Sequence, residues 1–210
     1  NNWTPNNFSV TAGAGNDSFV DSPTSYGTDT GAGGEVRGNY AILNSLSQVA
    51  TAFANGNLDV VLTGSGGQTE NTASTIAVSS GKWYCEIVNT AGSSAFIGIA
   101  DASLTASART FYSSSAWGYF SANGNKYNNG GGATYGATWT VGDVIGIALD
   151  MDSGTVTFYK NGTSQGVAYS GLTGRSICYW VTGGTGGVGV TVSYSCNFGQ
   201  RPFAYTAPSG

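Results

Sequence analysis

Hydrophobic and polar positions alternate most cleanly over residues 142–162, GDVIGIALDMDSGTVTFYKNG. Residues 144–149 are apolar and largely β-branched, with Gly146 as the gap, and residues 150–154 are polar. Val156 and Phe158 then share one face, while Thr155, Thr157 and Tyr159 share the other. Period-two alternation bounded by turn residues predicts a half-buried β-hairpin. Asn161-Gly162 supplies a second turn, because that dipeptide tolerates the positive φ of a tight hairpin.

The same pattern predicts strands over residues 38–44, 57–62, 75–78, 82–88 and 95–100, with Trp83, Cys85 and Ile87 on one face. Residues 117–120, 166–169, 177–181 and 189–198 follow as further strands. Residues 63–71 and 183–187 read as Gly-rich turns, Asn123-Gly124 as a hairpin turn, and 126–135 as a loop rich in Gly and Asn. Residues 41–54 have mixed apolar spacing and run into Asn55-Gly56, so a short helix and a strand-loop-strand both stay open. Strands at roughly eight-to-twelve-residue spacing with Gly/Asn punctuation predict an all-β fold, a two-sheet antiparallel β-sandwich.

Residues 1–38 differ from the rest. Their apolar residues are isolated (Trp3, Phe8, Val10, Phe19, Val20 and Tyr26) among turn formers. Such a stretch cannot bury a core of its own. We expect an extended N-terminal arm over 1–38 that docks elsewhere, followed by one sandwich over 39–210.

Composition sharpens this picture. The 210 residues include 34 Gly, 12 Tyr and 5 Trp, and only 9% are charged, which disfavours helices. The net charge of −4, with seven scattered basic residues, argues against a nucleic-acid partner. No apolar run approaches the roughly 20 residues of a membrane span, so no membrane insertion is expected. The chain lacks an initiator Met and a signal peptide and reads as a fragment or processed product. Cys85, Cys178 and Cys196 read as buried thiols, with a Cys178–Cys196 bridge open in an oxidising setting.

Catalytic patterns are scarce. The chain has no His, which removes Ser-His-Asp and Cys-His arrangements. Asp150 and Asp152 form a close acidic pair, but they flank a hairpin turn, where Asp caps backbone N–H groups. Gly130-Gly-Gly132 lacks the Lys-Ser/Thr of a phosphate cradle. No enzyme, cofactor or metal is expected.

Binding is expected from loops held by a rigid frame. Residues 101–116 and 126–137 display Arg109, Tyr112, Lys126, Tyr127, Asn128, Asn129 and Tyr135. Tyr mixed with Asn, Ser and Gly resembles an antibody paratope and also suits sugar rings. The competing reading is that Tyr127 and Tyr135 merely cover a sheet edge. Arg175, Tyr179 and Trp180 are candidates for the same end. Trp83, Trp117, Trp139 and Phe158 read as core.

Four ordered motifs carry a family resemblance: SGKWYCEI at 80–87, FIGIA at 96–100, the central GDVIGIALDMDSGTVTFYKNG, and VTVSYSCNFGQRPF at 190–203. Together they resemble the SPRY domain family over roughly residues 39–208. The resemblance implies a SPRY-like, concanavalin-like jelly roll acting as a binding module, with the two loops on its variable binding face. The phrases NWTPNNFS at 2–9 and DSPT at 21–24 resemble, more loosely, leaders in bacteriophage tail-fibre and virion proteins. That likeness implies a particle-surface protein: adhesion to a host surface glycan or protein, an arm gripping other virion subunits, and a homotrimer. The rival is a structural capsid or tail decoration protein with no host ligand.

Overall fold

The computed structural model describes residues 40–48, 51–65, 70–183 and 188–209. The expected arm over 1–38 lies outside the described residues. Among these described residues fourteen strands build the fold: β1 Leu43–Gln48, β2 Thr51–Ala54, β3 Asp59–Ser65, β4 Asn71–Ser74, β5 Lys82–Ala91, β6 Phe96–Asp101 and β7 Ala116–Phe120. They continue with β8 Asn125–Asn128, β9 Gly131–Thr134, β10 Val144–Asp150, β11 Thr155–Lys160, β12 Thr163–Tyr169, β13 Ile177–Thr182 and β14 Val188–Asn197. A 3-10 turn, Ala106–Ala108, is the helical element among the described residues.

The strands form two seven-stranded antiparallel sheets. The first runs β1-β4-β13-β6-β7-β8-β9 and the second β12-β11-β10-β5-β14-β3-β2. The main core lies between them. Ile97, Ile99, Trp117, Tyr119, Tyr179 and Val181 point in from the first sheet, and Ile87, Ile145, Ile147, Phe158, Val192 and Tyr194 from the second. The predicted central hairpin forms as β10–β11, closing at Asp150↔Thr155. Asp150 Oδ1 accepts the N–H groups of Asp152 and Ser153, and Asp152 Oδ1 accepts that of Gly81, so both carboxylates serve the turn. Asn161 and Gly162 take φ +48° and +78° in the next turn.

Several elements differ from the sequence expectation. Residues 41–54 hold two strands, of which β1 begins at Leu43 rather than residue 38. The strand expected over 75–78 is displaced to β4, which begins at the last residue of the expected 63–71 turn, and Val78 makes a single bridge to Ile177. All four β4 residues are buried although three are polar, because Asn71, Thr72 and Ser74 donate to the carbonyls of Ala106, Asn44 and Ile76. Residues 126–135 form a hairpin, β8–β9, instead of a loop. Trp83 is 45% exposed, at the start of β5, its Nε1 donating to Ser80 O, so it is not core. Trp117, Trp139 and Phe158 are buried as expected. The three cysteines are free and buried. Cys178 packs on the outer face of the first sheet and Cys196 in the main core, so the bridge left open in the sequence is not formed.

The C-terminal tail lies on the outer face of the second sheet. Glu86, 3% exposed, accepts the N–H groups of Ala204 (2.7 Å) and Tyr205 (3.0 Å), and the Phe203 ring packs edge-on against Tyr84.

Candidate recognition surface

Alternation puts Phe96, Trp180 and Phe120 on the face of the first sheet turned away from the main core. There they form a second apolar cluster with Phe111 and Tyr127. Phe96 is its centre, with ring centroids 5.3 Å from Phe111, 5.5 Å from Phe120, 5.6 Å from Tyr127 and 6.0 Å from Trp180. Two glycines make room for these rings. A Cβ on Gly118 would fall 1.8 Å from the Phe96 ring, and one on Gly132 would fall 2.6 Å from the Tyr127 ring. The sheet thus presents glycine backbone paved with aromatic rings.

The loop from residue 102 to 115 closes over part of this pavement. Tyr112, 62% exposed, lies against Phe111 with centroids 4.3 Å apart. The β8–β9 turn is stitched to the loop. Asn129 N–H donates to Ser113 O (3.1 Å) and Gly130 N–H to Phe111 O (3.0 Å). Asn128 Nδ2 reaches the carbonyls of Ser113, Ser114 and Ala116 at 3.3, 3.1 and 2.8 Å. Loop and hairpin therefore form one rigid unit, a preorganised platform for binding.

The structure divides the candidate residues. Tyr112, Tyr127, Asn128 and Asn129 come together on this face. Only Tyr112 and Asn129 of these are exposed; Tyr127 is half-buried, its hydroxyl accepting from Asn123 Nδ2. Arg109 is a correction. It is 3% exposed, with Nη1 on Asn71 Oδ1 and Nη2 on Leu104 O, so it pins the loop from beneath and is not on display. Tyr179 and Trp180 are likewise buried, on opposite faces of β13.

Lys126 and Tyr135 lie instead along the seam between the sheets. Lys126 Nζ donates to Ala168 O (2.6 Å) and sits over the Tyr135 and Tyr169 rings. The Tyr135 hydroxyl donates to Gly166 O and accepts from Phe158 N–H, and burial pushes its pKa up to about 12. These two side chains close the sandwich edge, as the competing reading of Tyr135 has it. Arg175 stands at the base of the loop, paired with Asp101 (3.5 Å) and laid over the Trp117 ring. Phe111 and Phe120 join this face without being among the residues the sequence points to. The signal was the charge pattern: no Asp or Glu falls between Asp101 and Asp143, and both cations in that stretch are committed internally.

Fold and surface together define an all-β recognition module, with a rigid uncharged face and a tail-braced back. Residues 82–197, more than half of the chain, match the SPRY domain model, and the chain belongs to that family. SPRY domains are protein-binding modules. A fruit-fly protein, the Ran-binding proteins 9/10 homolog of Drosophila melanogaster, is 31% identical over 169 residues, which cover 75% of this chain and 17% of that protein. Ran-binding protein 9 of Xenopus tropicalis is 30% identical over 162 residues, covering 73% of this chain and 29% of its own length. The chain thus spans less than a third of these relatives. The SPRY domain of human HERC1 superposes with a TM-score of 0.62 at 21% identity, over 74% of this chain and 97% of that domain.

Proposed function

We propose that this chain is a non-catalytic binding module that engages a partner protein through the aromatic face of its first sheet. The observation that carries this reading is Tyr112: a large, mostly exposed ring packed on Phe111 and backed by a hydrogen-bonded hairpin whose one charge, Lys126, is turned to the seam between the sheets. An aromatic side chain held in place contributes contact area at low entropic cost. The finer setting, a bacteriophage particle whose module adheres to a host surface protein or glycan, is supported by the leader phrases at residues 2–9 and 21–24. In that setting residues 1–38 anchor the module to other virion subunits. Capsid or tail decoration differs from it in having no host ligand.

The test is photocrosslinking. Benzoylphenylalanine placed at Tyr112, and in a control at exposed Val167 of β12, is irradiated with extract of the source organism or, for the particle setting, of host envelope. A protein adduct at 112, absent at 167 and competed by unmodified chain, is expected. Equal labelling at both positions overturns the placement. Deleting residues 1–38 is expected to abolish particle incorporation while leaving the adduct.

A further inference from the structure

The free edge of the first sheet lies beside Tyr112. Strand β9 closes the sheet and pairs with β8 in unbroken register, Asn128↔Gly131 to Asn125↔Thr134. Asn129 and Gly130 take φ +52° and +72°, the two-residue turn that makes Asn128 and Gly131 the closing hydrogen-bonded pair. Antiparallel alternation then turns the N–H and C=O of Gly132 and Thr134 away from β8. Among the described residues neither N–H appears in any bond outside the hairpin.

Sheet edges are normally blunted by charge, proline or bulges, because unpaired edges recruit other strands. The edge strand β12 has two register shifts against β11, and β1 has one against β4. Edge strand β2 sits beside Asp59 and follows residues outside the described set. Strand β9 has none of these guards. Its sequence is Gly-Gly-Ala-Thr, and all four residues are exposed. Outward across the strand, Gly132 offers no side chain, so the Tyr127 ring laid over it borders any neighbouring strand.

We propose, building on the function proposed above, that the partner supplies an extended segment that adds to β9 as an eighth strand. Main-chain bonds to Gly132 and Thr134 give affinity, and an apolar side chain opposite Gly132 rests against Tyr127. The segment continues towards Tyr112, so the edge and the aromatic face act as one site. A second copy of the chain fits less well. Four-residue strands paired edge to edge bury far less than the roughly 1,600 Å² of a standard interface. The absence of acids between Asp101 and Asp143 suits a partner read by its backbone rather than its charge.

The probe is a displayed library of random twelve-residue peptides selected on the full chain, with amide exchange followed by NMR. Selected peptides are expected to slow exchange at Gly132 and Thr134. Thr134→Pro, which removes an outward N–H and leaves the β8 ladder intact, is expected to weaken them at least ten-fold. Melting of that variant near the wild-type temperature shows that the fold is kept. Peptides that bind without slowing those two amides overturn edge pairing, and so does a library that yields no binder. Slow exchange in the free chain together with a concentration-dependent dimer assigns the edge to a second copy and also overturns the proposal. A Tyr112 crosslink that persists in any of these cases leaves the binding module standing; loss of that crosslink as well sinks both.

Discussion

Asn128 shows how a residue suited to ligand contact is spent on architecture. Its single amide nitrogen faces the carbonyls of Ser113 and Ser114 in the covering loop and of Ala116 at the start of β7. Replacing it by Ala leaves Ser113 O the Asn129 N–H but takes the Asn128 donor from the part-buried Ala116 O, and a buried unsatisfied group costs about 1–3 kcal/mol. We expect Asn128→Ala to lower unfolding free energy by about 2 kcal/mol in urea titration, and to speed amide exchange across residues 102–115. Unchanged loop exchange would show that the turn's own bonds, from Asn129 and Gly130, suffice. Residue type alone could identify Asn128 and Lys126 as polar groups in a Gly-rich stretch. It could not reveal their partners, which lie 12 to 42 positions away in the chain. Arg109 is the same case: its position in a polar loop suggests display, and only the folding of that loop over β4 buries it. Tyr112 is the contrasting case: among the described residues no hydrogen bond recruits its hydroxyl, and the ring stays exposed.

At the scale of elements, the glycine–aromatic pairs decide how loop and sheet meet. Phe96 occupies the space that a side chain at Gly118 would need, and four other rings hold it there. Gly118→Ala therefore has no cheap relaxation, and overpacking of this kind costs about 1–3 kcal/mol. We expect a loss near the top of that range, with Tyr112 and Phe111 displaced, read as altered aromatic near-ultraviolet circular dichroism. Gly131→Ala, in the open edge strand, is the control and is expected to be near neutral. Legibility across elements followed the same physics. The central hairpin and β14 stand out because their buried face imposes period two, whereas β6, buried on both faces, stands out as a continuous apolar run. Hairpin β8–β9 reads as a loop in the sequence although Asn129-Gly130 signals a turn as clearly as Asn161-Gly162 does. Its strands, Asn-Lys-Tyr-Asn and Gly-Gly-Ala-Thr, bury little, so no alternation marks them. Strand β4 leaves no pattern for the opposite reason: it is wholly buried and mostly polar, so neither period nor apolarity marks it.

For the molecule as a whole, the ionisable groups predict a broad plateau of stability against pH. The chain has no histidine, so no side chain has its ordinary pKa near 6.5. On the acid side, partial burial pulls Asp101 upward, but Ser103 and then Arg175 outweigh it and hold the carboxyl below its usual value. Asp143 is likewise pulled up by burial and held down more strongly by Thr140, Asn161 and Lys160. Asp150 is lowered first by the Ser153 N–H. Carboxyls depressed in the folded state contribute stability above their unfolded pKa of 3.8, and it is lost as pH falls through the lower folded values. On the alkaline side, burial raises the Cys85 and Cys178 thiols above 9.0 and the Tyr135 phenol above 10.0. Groups raised in the folded state keep protons that the unfolded chain releases, so their contribution is complete below 9.0 and lost as pH rises through the folded values. The melting temperature is therefore expected to stay flat from about pH 5 to about pH 8 and to fall on both sides. The alkaline fall should begin with the thiols, and none of the three cysteines should react with Ellman's reagent at pH 8 until denaturant is added. A melting temperature that slopes between pH 6 and 8 would mean that a group with a strongly displaced pKa controls the fold. A thiol that reacts in the native chain would mean that one of the two apolar clusters opens to solvent, and Cys178, under the loop that carries Tyr112, is the thiol whose labelling would report on the recognition face itself.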